Sequence, residues 1–147
     1  MTDRTGRCMC GAVSFIAQGA DDTFSVCHCK TCQRWVGSAL KGVSVKSENL
    51  TVTGAENIST FKSSEFAERA NCKICGSALW FRLTAGKYVG NTSLPIGLLD
   101  DADGLALSTV YFVDCKIKTE EMLEGRSQIT SAEVEAMIKD FMGEGQA

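Results

Sequence analysis

Three short cysteine clusters are the residues of this chain whose types and spacing are best suited to chemistry. They contain seven of the eight cysteines and read Cys8-Met9-Cys10, Cys27-His28-Cys29-Lys30-Thr31-Cys32 and Cys72-Lys73-Ile74-Cys75. Thiolates one or three positions apart can converge on one metal ion from a single turn of chain, and zinc takes tetrahedral sulfur ligands. Two pairs supply a complete set of four ligands. A cluster of three leaves one coordination position open, which is typical of a catalytic zinc.

Glycines that follow two of the clusters indicate which cysteines share an ion. Gly76 follows one pair and Gly11 follows another, and glycine permits the positive φ needed just after the second ligand. Pairing these clusters predicts a closed, structural site with four ligands, which are Cys8, Cys10, Cys72 and Cys75. The remaining three cysteines, Cys27, Cys29 and Cys32, then form an open site where catalysis is expected.

The roles of His28 and Cys115 stay open. In an extended segment, residues i and i+2 share a face while residue i+1 points away. If Cys27 and Cys29 both bind the ion, we expect the only histidine, His28, to form a hydrogen bond to a group beside the ligands or to orient the loop, and direct ligation is the less favoured alternative. Cys115 stands alone, and a buried thiol that packs as a small apolar group is the default interpretation.

Disulfides and thiol redox chemistry are the alternatives to metal binding. Residues 1–7 contain no apolar stretch of signal-peptide type, which predicts a reducing, cytoplasmic environment. No hydrophobic run is long and uncharged enough to span a membrane. A disulfide within a Cys-x-Cys pair would form only with strain. With 147 residues, 44% of them hydrophobic, the chain can bury a core without covalent cross-links, so metal binding is favoured.

The charge pattern argues against a nucleic-acid partner. The formal net charge is −3, and the basic residues are scattered rather than gathered on one face. Binding a long polyanion normally requires such a basic face. A nucleic-acid-binding zinc finger is therefore disfavoured, although its metal ligands would look similar.

The elements that must position the cysteines are mainly short β-strands. Alternating apolar residues and bounding turn residues predict strands at 11–17, 38–45, 49–53, 58–62, 77–83, 88–91 and 110–113. A helix is predicted at about 131–142, with Thr130 or Ser131 as its cap. We expect a single domain over residues 1–147. The apolar stripe of the helix can pack internally or across a homodimer, so the oligomeric state stays open.

At this point the residues resemble the glutathione-dependent formaldehyde-activating (GFA) family. Residues 8–15 resemble its CxCGxVxF opening, and residues 27–38 are similar to its CHCxxCRxxxGS motif. Residues 61–64, Arg69 and residues 72–79 resemble its third block. The match covers roughly the first two thirds of the chain, and the order and spacing of seven cysteines make it specific.

The resemblance implies a fold, two metal ions and an activity. The implied fold is the β-rich Mss4-like fold, with one structural zinc at Cys8, Cys10, Cys72 and Cys75 and one catalytic zinc at Cys27, Cys29 and Cys32. The implied reaction condenses glutathione with formaldehyde to S-(hydroxymethyl)glutathione, formally the reverse of a carbon–sulfur lyase. Members of one family commonly differ in their small substrate, so the thiol and the aldehyde stay open.

Glutathione carries a net negative charge, so cations beside the open site are expected to hold it. The candidates are Lys30 and Arg34, within or beside the second cysteine cluster, and Arg69 from the third block. Solvated surface charge is the alternative reading, above all for Lys30. A different class of function also stays open, namely a non-catalytic, zinc-stabilised interaction module of Mss4-like type.

Overall fold

Ten strands and two α-helices make up the regular structure of the computed structural model, which describes residues 1–118, 125 and 127–143. The strands are β1 Thr2–Arg7, β2 Ser14–Ala20, β3 Thr23–Cys27, β4 Leu40–Lys46, β5 Leu50–Thr53, β6 Ile58–Ser64, β7 Ala67–Cys72, β8 Ala78–Leu83, β9 Asn91–Pro95 and β10 Ala106–Tyr111. The helices are α1 Lys30–Val36 and α2 Ser131–Met142. The predicted fold class, mainly β with a C-terminal helix, is confirmed.

The strands form two sheets within the first of two compact units, Met1–Lys116 and Ile117–Ala147. The smaller sheet has the order β1-β2-β5, and the larger has the order β10-β3-β4-β9-β8-β7-β6. All neighbours are antiparallel except β10, which runs parallel to β3. Strand β10 therefore joins the strand that carries Cys27, although more than seventy-five residues separate them in sequence.

The core lies between the two sheets. Strand β2 alternates buried Phe15 and Ala17 with exposed Ile16, as expected for a sheet that is covered on one face. These side chains pack in one cluster with Val43 and Val45 of β4 and with further buried residues of β7, β8 and β9. The opposite face of the larger sheet is left to form the wall of a cavity.

The C-terminal helix has a complete capping box. The Thr130 hydroxyl accepts a hydrogen bond from the Glu133 backbone N–H at 3.3 Å, and the Thr130 N–H donates to the Glu133 carboxylate at 2.6 Å. Helix α2 ends before Gly143, whose N–H donates to the carbonyls of Lys139 and Asp140. Among the described residues, no helix is long and apolar enough to cross a membrane.

The fold differs from the sequence prediction in several places. Strands β1, β3 and β7 were not predicted, and β10 covers Ala106–Tyr111 rather than 110–113. The predicted strand at 88–91 is wrong, because residues 87–90 form a turn and β9 begins only at Asn91. Gly86 and Gly90 both have positive φ there, which bends the chain away from an extended conformation. Helix α1 was not predicted, and it carries Cys32 in its first turn. The prediction of a single domain over 1–147 stays a prediction.

Candidate metal sites and the adjoining cavity

Four of the predicted metal ligands converge where the two sheets meet. The Sγ atoms of Cys8, Cys10, Cys72 and Cys75, here called the four-thiol cluster, all lie within 4.8 Å of one another. The first two come from the loop between β1 and β2, Cys72 ends β7, and Cys75 lies in the β7–β8 turn. The cluster therefore connects the smaller sheet to the larger one.

The turns of the four-thiol cluster have the backbone geometry that the sequence predicted. Gly11 has φ 79° and Gly76 has φ 76°, both in the left-handed region that favours glycine. Each glycine N–H returns to the first cysteine of its pair, at 3.1 Å to the Cys8 carbonyl and 2.9 Å to the Cys72 carbonyl. The Met9 N–H also donates to the Ser77 hydroxyl at 3.0 Å, which joins the two turns.

The spacing of the sulfur atoms fits a tetrahedral zinc ion. A Zn–S bond of about 2.3 Å places tetrahedral ligands about 3.8 Å apart. The Cys8 and Cys10 sulfurs are 3.6 Å apart, and the Cys10 and Cys72 sulfurs are 3.9 Å apart. Cys8 and Cys72 are buried and pack within the hydrophobic core, so an ion held here would lie at the edge of that core.

Metal binding requires ionised thiols, and the surroundings favour ionisation of some of the cysteines in the four-thiol cluster. The Ser77 hydroxyl and N–H donate to Cys75 and lower the pKa of its thiol to about 5. Burial opposes ionisation of Cys8, but the Val13 N–H donates to its sulfur at 3.3 Å and its pKa is lowered overall. Although the Ala12 backbone favours the Cys10 thiolate, burial and the other thiols raise its pKa to about 11. A bound cation would relieve this crowding of like charges.

The other three predicted ligands form a second cluster. The Sγ atoms of Cys27, Cys29 and Cys32, here called the three-thiol cluster, also lie within 4.8 Å of one another. Cys27 ends β3, Cys29 caps helix α1 by accepting the Cys32 N–H at 3.3 Å, and Cys32 is buried. Among the described residues, no fourth histidine, cysteine or carboxylate joins this group.

Hydrogen bonds to three backbone carbonyls hold the loop of the three-thiol cluster in place. The His28 N–H donates to the Tyr111 carbonyl at 3.0 Å, which joins the loop to the end of β10. The Gln33 amide donates to the carbonyls of His28 and Cys115 at 2.6 and 2.9 Å. The His28 side chain is buried outside both clusters, as the alternation argument predicted. The half-buried Cys115 takes part in this network through its backbone carbonyl, and its thiol belongs to neither cluster.

Arg69 lies beside the three-thiol cluster and is almost completely buried. Its Nη2 is 3.5 Å from the Cys32 sulfur, and its guanidinium lies 4.7 Å from the Trp35 ring centre and 5.0 Å from that of Phe81. Its Nε and Nη1 atoms are buried and make no hydrogen bond within the described part of the chain. Such unsatisfied donors are costly, so they indicate a place for an acceptor that the chain itself does not supply.

The three thiols differ in how readily they ionise. Burial raises the pKa of Cys32 to about 12 and also raises that of Cys27. Burial acts in the same direction on Cys29, but the Cys32 N–H, the neighbouring thiols and the charge of Arg69 together lower its pKa. Three thiolates at this spacing need a cation, and the all-sulfur donor set suits zinc.

A cavity of about 670 Å³ opens beside the three-thiol cluster on the free face of the larger sheet. All three cysteines of that cluster and Arg69 line it. Its polar wall is formed by residues of several strands, Ser25, Ser44, Ser63, Ser64, Asn91, Thr92 and Ser93. Its aromatic residues are Phe66, Phe81, Tyr88, Tyr111 and Phe112. Lys30 and Arg34, the other predicted glutathione contacts, are exposed on α1 and do not line this cavity.

The aromatic wall was missed by the sequence prediction. The aromatic residues come from the β6–β7 turn, strand β8, the 84–90 loop, the end of β10 and the residue after it, and no local pattern relates these segments. Phe112 is the one described non-glycine residue with positive φ, at 55°. That conformation costs about 1–2 kcal/mol and often marks functional positions. The aromatic residues themselves were visible, but their convergence depends on the sheet order.

Comparisons with known proteins found a curated relative and a solved structure that are similar to this chain. A relative from Schizosaccharomyces pombe, named an uncharacterized lyase, is 38% identical over 87 residues, which are 59% of this chain and 63% of the relative. The chain thus spans less than two thirds of that relative's length. A crystal structure of a Rhodobacter sphaeroides protein superposes with a TM-score of 0.56 at 22% identity, covering 71% of this chain and 99% of the other. This second similarity concerns the fold alone.

The family itself is settled by a match over most of the chain. The sequence model of the family described as glutathione-dependent formaldehyde-activating enzyme matches residues 3–115. The matched segment contains both thiol clusters, Arg69 and the cavity, and it includes every strand of both sheets except the first residue of β1. The predicted resemblance is therefore confirmed, and the chain belongs to the glutathione-dependent formaldehyde-activating (GFA) enzyme family.

Proposed function

We propose that this protein is an enzyme of the carbon–sulfur lyase type that adds the thiol of glutathione to a small aldehyde such as formaldehyde. The observation that carries the proposal is that only one of the two thiol clusters reaches the cavity. The three-thiol cluster lines it, and the four-thiol cluster does not. The description of the family and the lyase name of the S. pombe relative support this reaction class.

Two zinc ions per chain complete the proposal, a structural ion at the four-thiol cluster and a catalytic ion at the three-thiol cluster. At the latter, zinc supplies a fourth coordination position and lowers the pKa of a thiol that occupies it. Four cysteine ligands fill a tetrahedron, so the four-thiol cluster is left to a structural role. The cysteines must stay reduced to bind metal, which favours a cytoplasmic location.

The proposed reaction requires no oxidant or reductant. A bond forms between the thiol sulfur and the carbonyl carbon, the π bond of the carbonyl opens, and the proton of the thiol ends on the carbonyl oxygen. Serine and threonine hydroxyls of the cavity wall can relay that proton. The free N–H groups of Arg69 can donate to a substrate oxygen at the same place, because Arg69 lines the cavity beside Cys32.

Arg69 is the only lysine or arginine among the described residues that line the cavity. It therefore also offers the cation that a carboxylate of glutathione requires. Lys30 donates to Gln33 at 3.2 Å, and it lies with Arg34 on helix α1, outside the cavity lining. Their predicted contact with glutathione remains part of the proposal, as contacts made by the parts of the substrate that extend from the cavity.

Serine substitutions at single cysteines test the division of roles. We expect Cys29→Ser to remain folded, to retain about one zinc instead of two, and to lose at least about 100-fold in activity. Cys72→Ser should lose several kcal/mol of stability and become largely unfolded, because metal binding at such a site is folding free energy. Metal analysis, thermal melting and NMR exchange spectroscopy of the glutathione–formaldehyde adduct measure these effects.

Cys115→Ser is the matched control, because Cys115 lies in neither cluster. It should keep two zinc ions and the activity of the unaltered chain. If Cys29→Ser and Cys72→Ser behave alike, the assignment of open and closed sites is wrong. If the protein binds two zinc ions but accelerates no thiol addition, the alternative of a non-catalytic interaction module is favoured.

A further inference from the structure

Four exposed aromatic side chains surround the cavity beside the three-thiol cluster. Phe66, Tyr88, Tyr111 and Phe112, here called the aromatic rim, are exposed by 55, 61, 51 and 56% of their surface. Large aromatic side chains are usually well buried, and apolar surface gathered around a concavity marks a binding site. Glutathione is a charged and polar tripeptide, and formaldehyde has almost no apolar surface, so neither substrate explains four exposed aromatic rings at this place.

The rim and the reactive groups occupy different depths. Cys32, Arg69, Ala67 and Thr92 are buried and form the floor of the cavity, while the rim residues reach the solvent. Formaldehyde is little larger than a water molecule, which occupies about 30 Å³ in the liquid. The cavity, at about 670 Å³, is in the range that holds ligands of drug size. In the proposed reaction glutathione occupies part of this volume, and an aldehyde that is large enough to extend from the floor to the rim would contact the aromatic rings.

Resting on the proposed function, we propose that the aldehyde which reacts beside the three-thiol cluster carries an aromatic ring, and that this ring lies against the aromatic rim. The product is a hemithioacetal: the sulfur bonds to the carbonyl carbon, the carbonyl π bond opens, and the thiol proton moves to the oxygen. The ring takes no part in the bond changes and serves for recognition.

The composition of the aromatic rim favours a neutral aromatic ring over other apolar groups as its ligand. Aromatic residues from three separate segments can meet a planar ring by stacking and by edge-to-face contact, which an alkyl chain cannot do. Among the described lining residues there is no carboxylate, so the wall offers no counter-charge for a cationic ring. Arg69 at the floor remains available to the oxygen of the aldehyde or to the carboxylate of the thiol.

The test compares aldehydes of different shape with the zinc-loaded protein and glutathione. Benzaldehyde, cyclohexanecarboxaldehyde and formaldehyde are used in turn, and each rate is divided by the uncatalysed rate of the same aldehyde. NMR exchange spectroscopy measures hemithioacetal formation. We expect the acceleration to be greatest for benzaldehyde, exceeding that for cyclohexanecarboxaldehyde by about two- to tenfold, the value of one or two aromatic contacts.

Variants of the rim locate the effect. Phe66→Ala and Tyr88→Ala, in two different loops, should each lower the ratio of benzaldehyde to formaldehyde acceleration by about two- to tenfold. Phe61→Ala is the matched control, because Phe61 is a similarly exposed phenylalanine in the same hairpin as Phe66 but does not line the cavity. Its ratio should stay within about twofold of that of the unaltered chain. Thermal melting confirms that all three variants fold.

The possible results distinguish a failure of the aromatic-substrate proposal from a failure of the proposed function. Acceleration of formaldehyde addition without a preference for benzaldehyde overturns the aromatic substrate and leaves the proposed function intact. Equal acceleration for benzaldehyde and cyclohexanecarboxaldehyde overturns it as well, because the rim would then recognise only size. A ratio that falls equally in Phe61→Ala and Phe66→Ala removes the rim from recognition. Acceleration of no aldehyde overturns both proposals together.

Discussion

Arg69 is the residue whose surroundings are hardest to explain by structure alone. A buried guanidinium normally has a carboxylate partner, because an unpaired buried charge costs several kcal/mol. No described carboxylate forms an ion pair with Arg69, and the groups around it are two aromatic rings and the Cys32 sulfur. The sulfur atoms of the three-thiol cluster are therefore the nearest groups that can supply its counter-charge when they ionise. This arrangement couples the charge of Arg69 to the ionisation of the cysteines.

Replacement of this arginine by lysine provides a test at the residue scale. Arg69→Lys keeps the charge but loses the planar group that fits between Trp35 and Phe81, together with its additional N–H donors. We expect kcat/KM for glutathione and formaldehyde to fall about tenfold or more, with zinc content unchanged. Steady-state kinetics and metal analysis are the measurements.

Arg82→Lys is the control for this substitution. Arg82 also stacks on an aromatic ring, at 5.4 Å from the Trp80 centre, but it does not line the cavity. Its activity should stay within about twofold of that of the unaltered chain. Equal losses in the two variants would show that arginine–aromatic packing in the sheet, rather than position beside the thiols, matters.

At the scale of elements, a short turn supports both halves of the four-thiol cluster. The turn Ala55–Asn57 follows Gly54, and the Asn57 carbonyl accepts the Lys73 N–H at 2.8 Å, within the β7–β8 turn. The Asn57 amide also donates to the Ala12 carbonyl at 3.4 Å, in the loop that carries Cys8 and Cys10. This turn therefore fixes the two ligand-bearing loops relative to each other.

The absence of a side chain at Gly54 is essential to that contact. A Cβ atom at Gly54 would lie 1.9 Å from the Ala12 carbonyl oxygen, and the residue has φ +83°. We expect Gly54→Ala to lower the free energy of unfolding by more than about 3 kcal/mol, since backbone strain and steric overlap add. Chemical denaturation measures this loss, and a zinc-release assay should show weaker retention of zinc at the four-thiol cluster.

Gly104→Ala is the corresponding control. Gly104 has a similar φ of +79°, but nothing lies within 4 Å of an added Cβ. Its cost should be limited to the backbone term of about 1–2 kcal/mol. Similar losses at both positions would mean that the contact with Ala12 contributes nothing to stability.

The prediction of secondary structure succeeded where the sequence signal is local, and it failed where pairing with other strands determines the structure. The positive φ of Gly11 and Gly76 followed from their place after a ligand pair. The capped helix at 131–142 followed from its periodicity and from Thr130. Strand β7, by contrast, contains polar Glu68, Arg69 and Asn71, and its partners on both sides make it a strand. Its sequence gave no alternation to detect.

For the molecule as a whole, the two clusters contain different numbers of thiols and should therefore release zinc one after the other, the three-thiol cluster first. Three protein ligands hold an ion less firmly than four, so a moderate chelator should remove about one zinc per chain while the fold remains. A strong chelator should then remove the second ion and lower the melting temperature by more than about 10 °C. Zinc release followed by a colorimetric reporter, together with circular dichroism, measures both steps.

Two outcomes would contradict this order. Simultaneous release of both ions would mean that the clusters are not separate in energy. A melting temperature that is unaffected by the strong chelator would favour thiol redox chemistry over a structural metal.

The sequence predicted which cysteines would group, because the spacing within each cluster is local and the glycines after two of the pairs indicate that these pairs belong together. It did not predict the cavity, because residues lining it come from seven strands whose order is set by long-range pairing.

The parallel pairing of β10 with β3 has a consequence for how the protein is made. When a ribosome has synthesised the chain through Leu83, all four cysteines of the four-thiol cluster and the hairpin that carries two of them already exist. The loop of the other cluster still lacks Tyr111, whose carbonyl holds the His28 N–H. If zinc binds during synthesis, it should therefore bind first at the four-thiol cluster, and the three-thiol cluster should be completed last.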